Sequence, residues 1–231
     1  MTQTRAMLDR ELADINERIL RIGSLVDGAI ERSMRALAQR DFDLAHQVSA
    51  DDTGVNTLRF EIEEACLALI ARQQPAASDL RAVMTAFSIV TDLERMGDHA
   101  AGIARIVLHM GEEPLLKPLI DLPRMAEICR EMLRLSLQAY LERDVKEAAA
   151  IVAMDDSVDA LYTQIFREIL SYMVEDPRTT SRGLYLLFAA HNLERIGDRV
   201  TNIVERILFM TSGELRELNP KVSKAIADLL D

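Results

Sequence analysis

The sequence predicts an all-α fold: two tandem antiparallel three-helix bundles related by internal duplication. Three observations carry that expectation. The octet Asp92-Leu93-Glu94-Arg95-Met96-Gly97-Asp98-His99 returns one hundred residues later as Asn192-Leu193-Glu194-Arg195-Ile196-Gly197-Asp198-Arg199. Aromatic residues make up only 4% of the chain, with no Trp and eleven Met, which suits helix-on-helix packing better than a sheet. Nine Gly and six Pro in 231 residues leave material for few turns.

The elements follow in order. From about Met7 to Gln39, apolar residues fall at Ile15, Ile19, Ile22, Val26, Ile30, Met34 and Leu37, in steps of three and four. Asp41 is placed to cap a second helix, which runs through Leu44, Val48, Val55, Leu58, Ile62 and Leu69 to about Arg72, with Gly54 a weak point inside it. Pro75 stops it. Ser78 is the expected cap of a third helix, which carries the first octet and ends at Gly111 and Pro114. Asp121, with Pro123 behind it, opens a fourth helix to about Leu141. Asp144 caps a fifth, which ends before Pro177, and Thr179 or Thr180 caps a sixth, which ends at Gly213. Asn219-Pro220 can open a short terminal helix to about Leu230.

The duplication extends beyond the octets. A shift of 103 aligns Gln39-Arg40-Asp41 with Glu142-Arg143-Asp144, and Asp52, Val55, Asn56 and Leu58 with Asp155, Val158, Asp159 and Leu161. The first bundle is therefore set at residues 1–112, the second at 121–213, and a tail at 214–231. A period this long is a duplicated domain rather than a solenoid, and short loops make neighbouring helices antiparallel.

Composition narrows the function. A formal charge of −11 and a pI near 4.9 argue against a nucleic-acid partner, which needs a basic footprint. No basic anion pocket is visible. Cys66 and Cys129 sit in apolar helical pattern and read as buried thiols of a reducing compartment. No apolar run reaches the roughly 18 residues of a membrane span, and the N-terminus lacks a signal-peptide core. The expected location is the cytoplasm, without membrane insertion.

The octets carry the chemistry of interest. Glu94 and Asp98, like Glu194 and Asp198, lie one helical turn apart on one face. The preceding helices supply oxygen pairs at the same spacing, Asp52 with Asn56 and Asp155 with Asp159. Four oxygen-bearing side chains facing one another across a groove suit a divalent or trivalent cation. Gly97, Ala101, Gly102, Gly197 and Thr201 leave room for it, and Asn202 offers a further oxygen. A second reading pairs Arg95 with Asp98 and Arg195 with Asp198 in solvated charged faces that bind no metal. None of the four histidines has the Glu three residues before it that a ferritin-like di-iron site uses. No nucleophile–base pair, Gly-rich phosphate loop or zinc spacing appears, so no catalytic residue is expected. His99 and His191 read as ordinary surface or groove residues.

At these residues the chain resembles the PhoU family of bacterial phosphate-signalling proteins. The likeness rests on the two octets, on Asp52-x-x-Val55-Asn56 and Asp155-x-x-Val158-Asp159, and on Gln74-Pro75-x-x-Ser78-Asp79-Leu80-Arg81. It spans about residues 5 to 213. The resemblance implies a non-catalytic cytoplasmic negative regulator, often a homodimer. Such a regulator links the ATPase subunit of a phosphate ABC transporter to a membrane sensor histidine kinase. It also implies metal binding, by iron or zinc foremost and by Mg or Mn as further candidates. The ligands carried over are Asp52, Glu94 and Asp98 in the first bundle, and Asp155, Asp159, Glu194 and Asp198 in the second. Asn56 stands where the second bundle has Asp159, so weaker or different binding is expected in the first bundle.

Overall fold

The computed structural model describes residues 2–214. Six α-helices account for nearly all of them: α1 (Thr2–Gln39), α2 (Phe42–Gln73), α3 (Ala77–Met110), α4 (Asp121–Glu142), α5 (Val145–Glu175) and α6 (Thr180–Ser212). The short terminal helix expected near Asn219–Leu230 lies outside the described residues. No helix among the described residues is long and apolar enough to cross a membrane.

Local chemistry sets the turns, and it does so twice. Asp41 accepts a hydrogen bond from the Leu44 amide at 2.9 Å, and Asp144 accepts from Lys146 and Glu147 at 2.8 and 3.1 Å. Each satisfies amides that the first helical turn leaves orphaned. The residue before each cap, Arg40 or Arg143, is left-handed at φ 55°. In both turns the Asp amide reaches back to close the preceding helix, Asp41 to the Ala36 carbonyl and Asp144 to the Ala139 carbonyl, each at 3.0 Å. This is the αL helix stop that glycine usually fills. The two turns are the same object, repeated.

Two expected caps are not made. α3 begins at Ala77, one residue before Ser78, and its flanking residue Ala76 makes no side-chain cap. Thr179 flanks α6, but its hydroxyl donates backwards to the carbonyls of Tyr172 and Asp176 at 3.1 and 2.7 Å. The capping there belongs to Asp176, whose carboxylate accepts from the Arg178 amide at 3.1 Å and opens a 3-10 turn at Pro177–Thr179.

Helices α1–α3 and α4–α6 each form a bundle, but their interiors are continuous. One hydrophobic cluster runs from Ile15, Ile19 and Ile22 of α1 through Leu93 and Met96 of α3 to Leu193, Ile196 and Ile203 of α6. The seam between bundles is made by α3 against α6 and by α1 against α4. Along the first contact Thr85 meets Arg206, His99 meets Asn192, and Tyr185 meets the carbonyl of His109. The helices therefore run antiparallel, with the octets crossing near the middle. Along the second contact Arg130 grips Asp27 with two hydrogen bonds of 2.8 and 3.1 Å, and Tyr140 donates to Asn16 at 2.7 Å. Cys66 and Cys129 are free and buried, as expected, and burial pushes the Cys66 thiol up to about 12.

Candidate functional site: two acidic grooves and the seam between them

Helical geometry splits each octet between two tasks. Its middle carboxylates face the neighbouring helix of their own bundle, and its ends face the other bundle.

In the second bundle α5 brings Asp155 and Asp159 to face Glu194 and Asp198 of α6. Asp155 is 5% exposed. Burial, then Asp159, Asp198 and Glu194, raise its carboxyl to about 7. Burial and Asp198 raise Glu194 to about 7 as well, with Arg195 opposing. Four carboxylates in one partly dry groove repel one another, and protonation relieves the repulsion. Asp198 is tied to Arg195 at 3.1 Å, the intrahelical pair of the second reading, while the Glu194 Oε2 atom is buried with no hydrogen bond. His191 Nδ1 and Arg195 Nε stand farther from that oxygen, at 3.5 and 3.7 Å.

The first bundle repeats this in a weaker form. Asp52 is raised by burial and by Asp98, with Arg105 opposing, and its Oδ1 atom is buried without a hydrogen bond. The Asn56 amide approaches its other oxygen at 3.4 Å. Glu94, however, is taken by Arg59 of α2 at 3.0 Å, and the same guanidinium holds Glu63 at 3.0 Å and lies 4.6 Å from the centre of the Phe60 ring. The repeat partner of Arg59 is Tyr162, whose phenol Glu194 pushes up after burial does. An arginine in one groove and a phenol in the other were not foreseen, although the 103-residue alignment contains both. The expected Arg95–Asp98 ion pair is not made, and the charge of Arg95 acts instead on Asp92 at the seam.

Both grooves have the chemistry of a hard-cation site. The donors are oxygens, one buried oxygen in each groove makes no hydrogen bond, and each floor is a glycine. A Cβ on Gly197 would stand 2.8 Å from Asp155 Oδ1, and one on Gly97 would stand 3.4 Å from Asp52 Oδ1. The donor chemistry of the seven candidate ligands is therefore that of a hard-cation site, and the second groove, with four carboxylates and no facing arginine from α5, is closer to one than the first, where Arg59 occupies Glu94. Among the described residues no three His, Cys, Asp or Glu side chains close around one point as a finished shell. The carboxylates would have to draw together on an ion.

The octet ends lie outside the grooves. Asp92 of α3 accepts from Asn202 of α6 at 3.2 Å, with Arg199 at 3.7 Å. Reciprocally, Asn192 of α6 meets His99 Nδ1 at 3.0 Å and packs on Gly102, where a Cβ would stand 2.9 Å from its Oδ1. Asn202 and Gly102 therefore belong to the seam, not to a cation cradle, and His99 is a half-buried bridge between bundles whose ring burial pushes toward neutrality. Truncating Asp92→Ala leaves Arg199 and Asn202 without their carboxylate. It is expected to cost about 1–3 kcal/mol in urea denaturation; a loss below about 0.5 kcal/mol would show that the crossing contact adds nothing.

Known proteins with this arrangement place the chain. The family model described as "PhoU domain" matches residues 19–107 and again 122–207, one match per bundle. The chain belongs to the PhoU family. A PhoU homologue of the phosphate-specific transport system from Caulobacter vibrioides is 40% identical over 214 residues, covering 92% of this chain and 93% of that protein. Its counterpart from Aquifex aeolicus is 38% identical over 208 residues, covering 90% and 94%. The crystal structure of the phosphate transport system regulatory protein PhoU from Streptococcus pneumoniae superposes with a TM-score of 0.85 at 33% identity, over 91% of this chain and all of that one. PhoU from Pseudomonas aeruginosa gives 0.85 at 35%, over 89% and 99%. The PhoU fold is thus shared over nearly the whole length, with both grooves inside the matched regions.

Proposed function

We propose that the chain is a non-catalytic cytoplasmic accessory regulator of phosphate uptake. In this reading it joins the ATPase subunit of a phosphate ABC transporter to a membrane sensor histidine kinase, restrains signalling when phosphate is plentiful, and acts as a homodimer. The observation that carries the reading is the likeness, over about nine-tenths of the chain, to accessory proteins of phosphate-specific transport. The grooves supply the physical means. A bound divalent or trivalent cation, iron or zinc foremost, would be held by Asp155, Asp159, Glu194 and Asp198, and less firmly by Asp52, Glu94 and Asp98. It would neutralise facing carboxylates and tie α5 to α6 and α2 to α3. The chain's own residues set the rest: Arg195 orients Asp198, Arg59 holds Glu94, and the two glycines keep the groove floors open.

The Arg59–Glu94–Glu63 network favours a second reading for the first bundle, in which its carboxylates are structural ion pairs and bind no metal. The test is complementation of a strain lacking this chain, read with a phosphate-starvation reporter in phosphate-rich medium. The unaltered chain is expected to silence the reporter. A variant carrying Glu94→Lys, Asp98→Lys, Glu194→Lys and Asp198→Lys is expected to leave it on by at least about tenfold. A charge-reversed chain that still melts cooperatively and still silences the reporter would sink the role given to the grooves.

A further inference from the structure

The sequence led to the expectation of no basic anion pocket, but the fold gathers three arginines in one cleft. Where α3 crosses α6, on the Asp92 side of the seam, a cleft of about 390 Å³ opens between the bundles. Arg95 enters it from α3, and Arg199 and Arg206 enter from α6. Arg199 and Arg206, two helical turns apart, share a face of α6, but no spacing along the chain joins them to Arg95, which comes from the other bundle. All three act on the Asp92 carboxylate, which lies at the base of the cleft, 9% exposed. Asp92 does not use them up. It accepts a hydrogen bond from Asn202 at 3.2 Å, whereas its nearest guanidinium nitrogen, on Arg199, stays at 3.7 Å. The Nε–H of Arg199 is buried with no acceptor. Glu205 also lines the cleft, so the formal balance is three positive groups against two negative, in a chain of net charge −11.

The hydroxyls nearby do not compete as donors, since Ser88 and Thr91 already donate to the carbonyls of Met84 and Phe87. What remains facing the cleft is a set of planar guanidinium forks, the groups that match tetrahedral oxyanions with paired hydrogen bonds. The internal repeat supplies a control. One hundred residues away, the positions matching Arg199, Arg206 and Ser88 are His99, Ile106 and Phe188. The duplicated scaffold alone therefore does not require the cluster, and only one side of the seam carries it.

We propose that the cleft between Arg95, Arg199 and Arg206 binds a phosphate-type oxyanion, either free inorganic phosphate or the phosphoryl group of a nucleotide. Binding there bridges α3 and α6, so it links the two bundles directly. The site lies outside both acidic grooves and goes beyond the regulatory reading above.

The test is calorimetric titration of the full chain with inorganic phosphate, with ATP and with sulfate, in EDTA so that no groove-bound cation contributes. Saturable binding is expected for phosphate or for ATP, weakening as salt is raised. Tightest binding by inorganic phosphate assigns the free ion as ligand, and tightest binding by ATP assigns the nucleotide. The double variant Arg95→Gln, Arg206→Gln leaves the Arg199–Asp92 contact in place. It is expected to weaken binding at least about tenfold while its melting temperature stays close to the parent's, and the double variant Arg35→Gln, Arg124→Gln, at exposed positions of α1 and α4, is the charge-matched control. No saturable heat with phosphate or ATP up to about 10 mM overturns the proposal, as does equal binding by parent and double variant, or tighter binding of sulfate than of both. Such a failure leaves the regulatory reading standing, because the reporter tests that separately.

Discussion

Stripped of metal, the chain is expected to be less stable at pH 8.0 than at pH 6.5, and added cation is expected to reverse the order. Asp155 and Glu194 both sit near 7 in the folded groove, well above the roughly 4 of an unfolded carboxyl. The folded state therefore binds more protons than the unfolded one between these values. The stability this contributes is present in full below about pH 4 and is lost as pH rises through 7. Because the pair is coupled and partly solvated, the loss across this window is about 1–2 kcal/mol after allowance for screening. His99 and His191, both pushed down by burial, act in the opposite sense, but chiefly below their ordinary 6.5.

For a chain of this size, 1–2 kcal/mol is a fall of several degrees in Tm. A cation binds the ionised carboxylates, so its contribution grows with pH. At about one hundred times its Kd it adds about 2.7 kcal/mol, or roughly 5–10 °C. Melts at the two pH values with EDTA, and again with manganese or zinc, measure both effects. Asp155→Asn is expected to flatten the metal-free difference and to remove most of the cation's shift. Equal melts under all four conditions would show that these carboxylates neither share protons nor bind ions.

Gly197→Ala is expected to damage the second groove, while Gly97→Ala leaves the first nearly intact. In an ordinary helix interior either change gains about 1 kcal/mol of propensity. At Gly197 the new methyl would lie 2.8 Å from Asp155 Oδ1 and 3.4 Å from Val158 Cγ1, inside a packed interface. Asp155 is buried on a short side chain and has little room to retreat. Overpacking of this kind costs about 1–3 kcal/mol, which exceeds the propensity gain. At Gly97 the nearest atoms are Val55 Cγ1 at 3.2 Å and Asp52 Oδ1 at 3.4 Å, close enough to need only a few tenths of an ångström of relaxation. The expected result is a net loss for Gly197→Ala together with loss of the cation-dependent Tm shift, against near-neutral stability for Gly97→Ala. Equal stability of the two variants would mean that the groove floors are interchangeable and that the closeness of Asp155 to α6 has no energetic weight.

Much of this molecule is written in local patterns. Asp41 and Asp144 cap their helices as the sequence suggests, because a carboxylate three residues before an apolar run needs only its own turn. The duplication is legible for the same reason: matching turns close at Arg40 and Arg143 through matching backbone bonds. The carboxylate pairs of the grooves were legible too, since positions four apart on a helix share a face. Ser78 and Thr179 misled because a capping residue is only an option for the backbone. Ala76 ends up as the boundary of α3, and the Thr179 hydroxyl bonds the carbonyls of Tyr172 and Asp176 at the end of α5 in place of the amides of α6.

The partners that come from distant chain were not legible. Arg59 and Tyr162 occupy equivalent positions, yet which of them reaches a glutamate depends on how α2 meets α3 and how α5 meets α6. Arg95 and Arg195 each stand three residues before an aspartate, yet only Arg195 pairs with its own, Asp198, at 3.1 Å, while the charge of Arg95 acts on Asp92, where the second copy has the neutral Asn192.

By itself the sequence determined the helices, their duplication, the family and the four pairs of oxygen-bearing side chains. Each of these depends on residues within one or two helical turns, or on likeness read along the chain. Tertiary structure alone decided that the two bundles share one core, that the octet ends knit α3 to α6, that Arg59 occupies only the first groove, and that three arginines gather at the seam. These depend on the angle and register at which helices a hundred residues apart cross. That geometry is set by the packing of whole helix faces and not by any stretch of the chain read alone.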